Sequence, residues 1–300
     1  MSEVREDQSR AVEATVRTII IYLTVIAIAL VVGYYVALAL IPTPKIGIIN
    51  VFGPIGSITA EILSREIDYA IHANDIEGVV MVINSPGGSA SAGHDVYFQV
   101  RKLREEKPVV ASMDILAASA AYQIGVGANE IYAKPASLVG NIGVIFSQPQ
   151  PEILSEQFTT TGPFKSTGGN ATTYLQKLDL LHADFRDSVV AERTKAPNPL
   201  TLTPDQVATG EIWIGIEAKE HGIIDELGSK LDAIDAAAEL AGLNNYDVVD
   251  VRTEYIDSLP DSELSAVTKM YEELDAGVKI DISTEETEWP SFYEIYVPLE

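Results

Sequence analysis

From Thr18 to Ile41 the chain reads TIIIYLTVIAIALVVGYYVALALI, twenty-four residues without a charge or a polar stripe. A helix of that length is about 36 Å long, enough to cross a ~30 Å hydrocarbon core with some tilt. The pattern predicts a transmembrane anchor over residues 18–41. Ala37-Leu38-Ala39 resembles a small-x-small cleavage site. The apolar core, however, far exceeds the ~7–15 residues of a signal peptide's central region, so the anchor reads as uncleaved. Arg5, Arg10 and Arg17 precede it and only Lys45 follows closely. The positive-inside bias therefore puts residues 1–17 in the cytoplasm and everything beyond Pro42 outside.

Past Pro42 and Pro44 the periodicity changes. KIGIINVFG (45–53) alternates as a strand, and SITAEILSREIDYAIHAN (57–74) has the spacing of an amphipathic helix opened by a serine cap. GVVMVINS (78–85) reads as a buried strand, then a Pro-Gly-Gly turn and a helix to about Glu106. PVVASMD (108–114) is a third strand, EIYAKP and LVGNIGVIF supply more, and helices are expected over 171–195 and 229–241. Repeated strand-then-helix units imply an α/β domain with largely parallel strands, spanning 45–243. Linkers are expected at 42–45 and 253–262.

Composition sharpens this picture in two places. The chain has no cysteine, which excludes disulfides, thiolate catalysis and cysteine-based metal sites. Its net charge of −24 argues against nucleic-acid partners, because phosphates would be repelled. Residues 244–300 carry fifteen Asp or Glu against Arg252, Lys269 and Lys279, half of that net charge. They read as an acidic C-terminal extension with a solvated face. No D-x-D-x-D-G spacing occurs there, so neither a metal nor a cofactor is implied.

The chemistry turns on DILAASAAYQIG (114–125), small apolar residues around one hydroxyl, Ser119. The alanines would let a helix start here, and a serine at a helix start is often no more than a cap. Against that, GVVMVINS ends in SPGG (85–88), and sites in open α/β sheets form at the carboxyl ends of strands. Adjacent glycines let backbone N–H groups approach a ligand closely. One strand could thus offer oxyanion donors and its neighbour a nucleophile, the layout of acyl chemistry. A serine also needs a base. His72, His94, His182 and His221 fall in helical patterns that read as surface. A lysine base must be largely desolvated, since at its ordinary pKa it is protonated. Lys165, in TTTGPFKSTGG beside Pro163 and Phe164, and Lys134, at a strand end, both remain candidates.

The motifs INSPGGSASAG, ASMDILAASAAYQIGVGANEIYAKPASLVGNIGVIF, GPFKS and TGEIWIGIEAKEHGIIDELG, in that order, resemble those of the signal peptide peptidase A family. Its members are membrane-anchored serine–lysine peptidases with a Clp protease/crotonase-like fold of repeated strand-strand-helix units. The similarity runs from about Lys45 to Leu240, roughly two thirds of the chain. It implies Ser119 as nucleophile, Lys165 as general base, and oxyanion donors on the backbone of Gly87 or Gly88, with the Ala120 N–H assisting. Clp protease would carry a histidine 25 residues after its serine. That position here is Val144, which favours the lysine mechanism.

Two positions depart from the family pattern. Ala120 and Ala121 stand where two glycines are usual, and Asn141 replaces the serine that orients the lysine. An amide oxygen can accept from a lysine, though the side chain is bulkier. The resemblance implies hydrophobic, signal-peptide-like substrates, a homo-oligomeric ring and a catalytic domain outside the cell membrane. The alternatives are a membrane serine protease that cuts a stomatin-like partner, a catalytically weak peptide-binding scaffold of the same fold, and a crotonase-type acyl-CoA enzyme.

Overall fold

The computed structural model describes residues 2–40, 42–146, 161–162, 164–165, 168–275 and 292–295. Two compact units divide the chain, residues 1–43 and 44–300. The first is one long helix, α1 (Ser2–Leu40). Thr15–Val36 within it is long and apolar enough to cross a membrane, and its side chains are exposed. Residues 2–17 continue the same helix, and Ile41 lies outside the described residues.

The second unit starts with β1 (Lys45–Phe52), α2 (Ser57–His72), β2 (Ile76–Ser85), β3 (Gly87–Ser89) and α3 (Ala90–Glu106). Then come β4 (Val109–Ala118), α4 (Ala120–Val126), β5 (Glu130–Ala133), β6 (Leu138–Gly140) and β7 (Ile145–Phe146). The long helix α5 (Ala171–Arg193) precedes α6 (Pro204–Val207), β8 (Ile212–Ile214), α7 (Gly215–Glu220), β9 (Glu226–Leu227) and α8 (Lys230–Leu240). The chain continues through β10 (Asp247–Asp250), α9 (Val251–Ser258), α10 (Asp261–Asp275) and β11 (Phe292–Ile295).

The main sheet has the order β10-β1-β2-β4-β5-β9, every pair parallel. β6 pairs with the far end of β4 and carries β8 antiparallel to it. Central strands of a parallel sheet are covered on both faces, which is why GVVMVINS is almost continuously apolar. Its residues alternate between two cores. Val79, Met81 and Ile83 join Leu63, Ile67, Val96 and Ile124 of α2, α3 and α4 on one face. Val80 and Val82 join Ala233, Ile234 and Ala237 of α8 on the other.

Three local expectations differ from what is observed. Ser57 is the first residue of α2 rather than its cap: Gly56 takes that place, with no side-chain cap bond. The DILAA run does not begin a helix. It prolongs β4, because Leu116, Ala117 and Ala118 pair with Leu138, Val139 and Gly140 of β6. Residues 253–262, expected as a linker, fall largely in α9 and α10.

These last helices belong to the fold. Glu66 of α2, only 1% exposed, accepts from the Tyr271 hydroxyl at 3.0 Å and pairs with Arg252 at 3.2 Å. The Arg252 guanidinium also sits 4.4 Å from the Tyr271 ring centroid. Burial pushes the Glu66 carboxyl up to about 7 despite Arg252 and Tyr271, which favour its charged form. A carboxyl raised on folding prefers to be protonated in the native state. Its contribution is complete below the unfolded value near 4.5 and is lost as pH rises through about 7. Thermal melts should accordingly drop between pH 5 and pH 8, and Glu66→Gln should flatten that part of the profile. A Glu66→Gln chain with the wild-type slope would refute this.

Candidate active site

Parallel neighbours bring the two motifs together. Ser85, at the end of β2, is in register with Ala117 of β4, two residues before Ser119. Beyond Ser85 the chain turns through Pro86 into β3. The Gly87 N–H donates to Ser85 Oγ at 3.1 Å, and Gly87 has φ +96°, where a side chain is disfavoured. A Cβ on Gly88 would lie 2.2 Å from the Ile55 carbonyl oxygen. Ile55 donates to Gly87 O at 2.9 Å and accepts from the Ser89 N–H at 2.8 Å. Backbone groups alternate direction along a strand, so Gly88 presents its own N–H and C=O to the opposite edge. Of the two glycines, Gly88 is the one with an N–H turned outward.

Ser119 joins β4 to α4 with φ +59° and ψ −127°. Its N–H donates to Gly140 O at 2.8 Å, and its carbonyl accepts from Gln123 N at 3.0 Å. Both backbone bonds hold a conformation that a non-glycine residue rarely adopts, at a cost of about 1–3 kcal/mol. The residue is 1% exposed, yet its Oγ is buried with no hydrogen-bond partner among the described residues. A packing or capping serine would have satisfied that hydroxyl, since leaving it unmet costs about 1–3 kcal/mol. Ala120 and Ala121 are fully buried, and a Cβ on Gly93 of α3 would lie 2.8 Å from that of Ala120. The small residues thus bring α3 against α4, and the Ala120 N–H lies in a first helical turn that lacks intrahelical acceptors.

Asn141 is half-buried at φ +54°, a conformation asparagine tolerates better than most residues. Its N–H donates to Glu211 O and its Nδ2 to Gly210 O, both at 2.7 Å. It lines a groove of about 390 Å³ with Val144, Ile145, Leu178, His182 and Gly210. Lys165 is exposed, held in a turn by its N–H to Gly162 O at 3.3 Å. Phe164 is 46% exposed, and Pro163 and Ser166 lie outside the described residues. Among the described residues no hydrogen bond joins Lys165 to Ser119 or to Asn141. The rival, Lys134, is ion-paired with Asp114 on the exposed side of β4.

One polar cluster escaped sequence reasoning. His94 of α3 was expected at the surface, but its side chain is 16% exposed and its Nε2 lies 2.5 Å from Asp184 Oδ2 of α5. The same nitrogen is 3.2 Å from Nε2 of Gln123, a fully buried residue one turn beyond Ser119. Asp184 is 90 positions away from His94, so no local pattern could have signalled the pair.

A sequence model described as Peptidase family S49 matches residues 101–244, and one described as Clp protease matches residues 44–139. A protein of Methanocaldococcus jannaschii carrying the name "putative protease" is 31% identical over 60% of this chain and 61% of its own length. A Synechocystis sp. protein with the same style of name is 30% identical over 67% of this chain and 76% of its own. "Protease 4" of Salmonella typhi is 29% identical over 73% of this chain but only 37% of its own, so the chain spans well under half of that relative. The domain has the Clp protease-like α/β fold, its parallel sheet made mixed by β8.

Proposed function

The chain belongs to peptidase family S49, the signal peptide peptidase A family, and on that footing we propose that it is a membrane-anchored serine endopeptidase with a Ser119–Lys165 dyad. The observation that carries the reading is Ser119: strained, buried, and with a hydroxyl that has no hydrogen-bond partner among the described residues. In the proposed reaction neutral Lys165 takes the Ser119 proton and Oγ attacks a peptide carbonyl. The N–H groups of Gly88 and Ala120 receive the oxyanion. Lys165 then passes its proton to the leaving amine, and water hydrolyses the acyl-enzyme. Asn141, with Nδ2 already given to Gly210, has its amide oxygen available to accept from Lys165.

Lys165 is exposed in the single chain, whereas a neutral lysine base needs burial. Cover from a neighbouring copy in a ring supplies that burial and makes assembly a condition of activity. Residues 18–41 anchor the protein, with 1–17 cytoplasmic and the domain from 45 outside. Hydrophobic, signal-peptide-like segments are the proposed substrates. The exposure of Lys165 also favours a second reading, a scaffold that binds peptides and cleaves them poorly. A fluorophosphonate separates the two, since the peptidase is modified at Ser119 and the scaffold is not.

The base is tested on the full chain in detergent. Lys165→Arg keeps the charge but cannot deprotonate in the working range, so hydrolysis should fall by at least 10²-fold. Lys134→Ala should retain most activity. The reverse pattern, a dead Lys134→Ala beside an active Lys165→Arg, would move the base to Lys134. Partial recovery on mixing Ser119→Ala and Lys165→Ala chains would mean that the dyad forms between subunits.

A further inference from the structure

His94, Asp184 and Gln123 stand where α3, α5 and α4 meet, and the proposed reaction gives none of them a task. His94 lies on the second turn of α3, whose cap Ser89 follows Gly88 directly. Its Nδ1 is 2.9 Å from the Ala90 carbonyl oxygen, and its Nε2 is 2.5 Å from Asp184 Oδ2. A carbonyl and a carboxylate only accept, so both ring nitrogens are assigned a proton and the ring is an imidazolium. Gln123 Nε2 lies 3.2 Å from the same ring nitrogen, and Gln123 Oε1 is buried with no hydrogen-bond partner among the described residues. Two N–H groups repel. The amide is therefore assigned with its oxygen toward the ring, where it shares the Nε2 proton with Asp184.

Two of these contacts lead into the proposed machinery. Ala90 is two residues from Gly88, the oxyanion donor. The Gln123 N–H donates to Ser119 O at 3.0 Å, one of the bonds that hold the Ser119 backbone at φ +59°. Between them α3 touches α4, since a Cβ on Gly93, next to His94, would lie 2.8 Å from that of Ala120. The fold itself has other ties here. Glu192 of α5 already holds α3 through Tyr97 Oη at 3.1 Å, Arg101 Nε at 3.1 Å and Arg104 Nη1 at 2.9 Å. The Asp184 side chain is 58% exposed, and an ion pair with one partner so open adds little stability. The cluster is better placed to set a distance than to hold the domain together.

We propose that the His94 imidazolium, with Asp184 as its counter-ion, is a positioning residue that fixes the Ser119 turn against the Gly88 strand and so sets the distance from nucleophile to oxyanion donor. The inference rests on the peptidase reading for what that distance does, but not for the contacts themselves. With both nitrogens occupied, His94 cannot take the Ser119 proton, and its effect passes through Gln123. Acyl transfer is sensitive to such placement, a shift of about 1 Å costing on the order of 10²-fold.

A cavity of about 530 Å³ opens beside the ring, lined by Ser89, Ala90, Phe98, Leu181 and Asp184. A small heterocycle can therefore reach the space that His94→Ala leaves, and alanine keeps the helix. In the full chain in detergent, His94→Ala should lower kcat for peptide hydrolysis about tenfold with KM within about twofold. Fluorophosphonate labelling of Ser119 should slow in proportion, and the thermal melt should stay close to wild type. Hydrogen exchange at the Gln123 amide should quicken about tenfold as its bond to Ser119 O loosens. Added imidazole should restore both kcat and exchange. Pyrazole, a ring of the same size that is not protonated in the working range, should restore neither. Asp184→Asn should behave like His94→Ala, and the double variant should be no worse than either single, the mark of groups that act as one unit. Unchanged exchange at Gln123, or an unchanged kcat, overturns the proposal. So does equal rescue by pyrazole, which would make the ring a space filler, and so do additive losses in the double variant. If the wild-type chain is neither active nor labelled while Gln123 exchange still responds to His94→Ala and to imidazole, the peptidase reading falls and the positioning of the Ser119 turn stands.

Discussion

Ser119→Ala is expected to abolish peptide hydrolysis while leaving the thermal melt within a degree or two of wild type. The two halves of that expectation come from the same atom. Oγ is the proposed nucleophile, and losing a serine nucleophile costs on the order of 10⁴-fold or more in kcat, the remainder coming from binding and oxyanion donors. Yet Oγ has no hydrogen-bond partner among the described residues, so its removal breaks no bond and deletes one unsatisfied buried group. The positive φ is no obstacle, because alanine and serine carry the same Cβ and bear similar strain there. Casein or a fluorogenic signal-peptide substrate, with the full chain in detergent, provides the assay. Retained hydrolysis would remove Ser119 from the mechanism. Lost hydrolysis with a melt lowered by many degrees would instead make it a packing residue.

The features readable in the sequence were those fixed by periodicity and by parallel pairing. Continuous apolar runs with helices between them gave the α/β class. Two successive strands ending in SPGG and in the run before Ser119 imply adjacent carboxyl ends, and Ser85 is indeed in register with Ala117. What stayed hidden was set by partners distant in the chain. Asp114 to Ala118 has the composition of a helix start, but β6, some twenty residues on, offers hydrogen bonds that only a strand can use. Residues 253–262 look polar enough for a linker. Their helices are held by Arg252 and Tyr271 against Glu66, almost two hundred residues earlier. The apolar setting expected for Lys165 rests on Pro163, which lies outside the described residues, and on Phe164, which is half-exposed.

The second large effect is on stability, at Arg193 and Asp225. Their side chains are 3% and 2% exposed and meet in a fork, Nη1 to Oδ2 at 2.8 Å and Nη2 to Oδ1 at 2.9 Å. Arg193 also donates from Nε to Gly222 O and from Nη2 to Asn198 O. Asp225 accepts from the N–H groups of Ile131 and Asn198. The pair thereby ties the C-terminal end of α5 to β5 and to the turn before β9. Gly222 in that turn has φ +72°, and a Cβ there would lie 2.2 Å from Pro199 O. Desolvating both ions is costly, so the pair need add little net stability, but removing one partner leaves an uncompensated buried charge. Asp225→Ala should therefore destabilise the domain by about 3–5 kcal/mol. At roughly 2–4 °C per kcal/mol for a domain of this size, Tm should fall by about 10 °C. Lys219→Ala, which breaks the exposed pair with Glu226, should shift it by no more than a degree or two. Replacing Arg193 and Asp225 together with leucine and asparagine should recover part of the loss, because no naked charge remains and asparagine can still accept from a backbone N–H. If the double variant melts lower than Asp225→Ala, the stranded charge is not the source of the damage, and the lost backbone acceptors are.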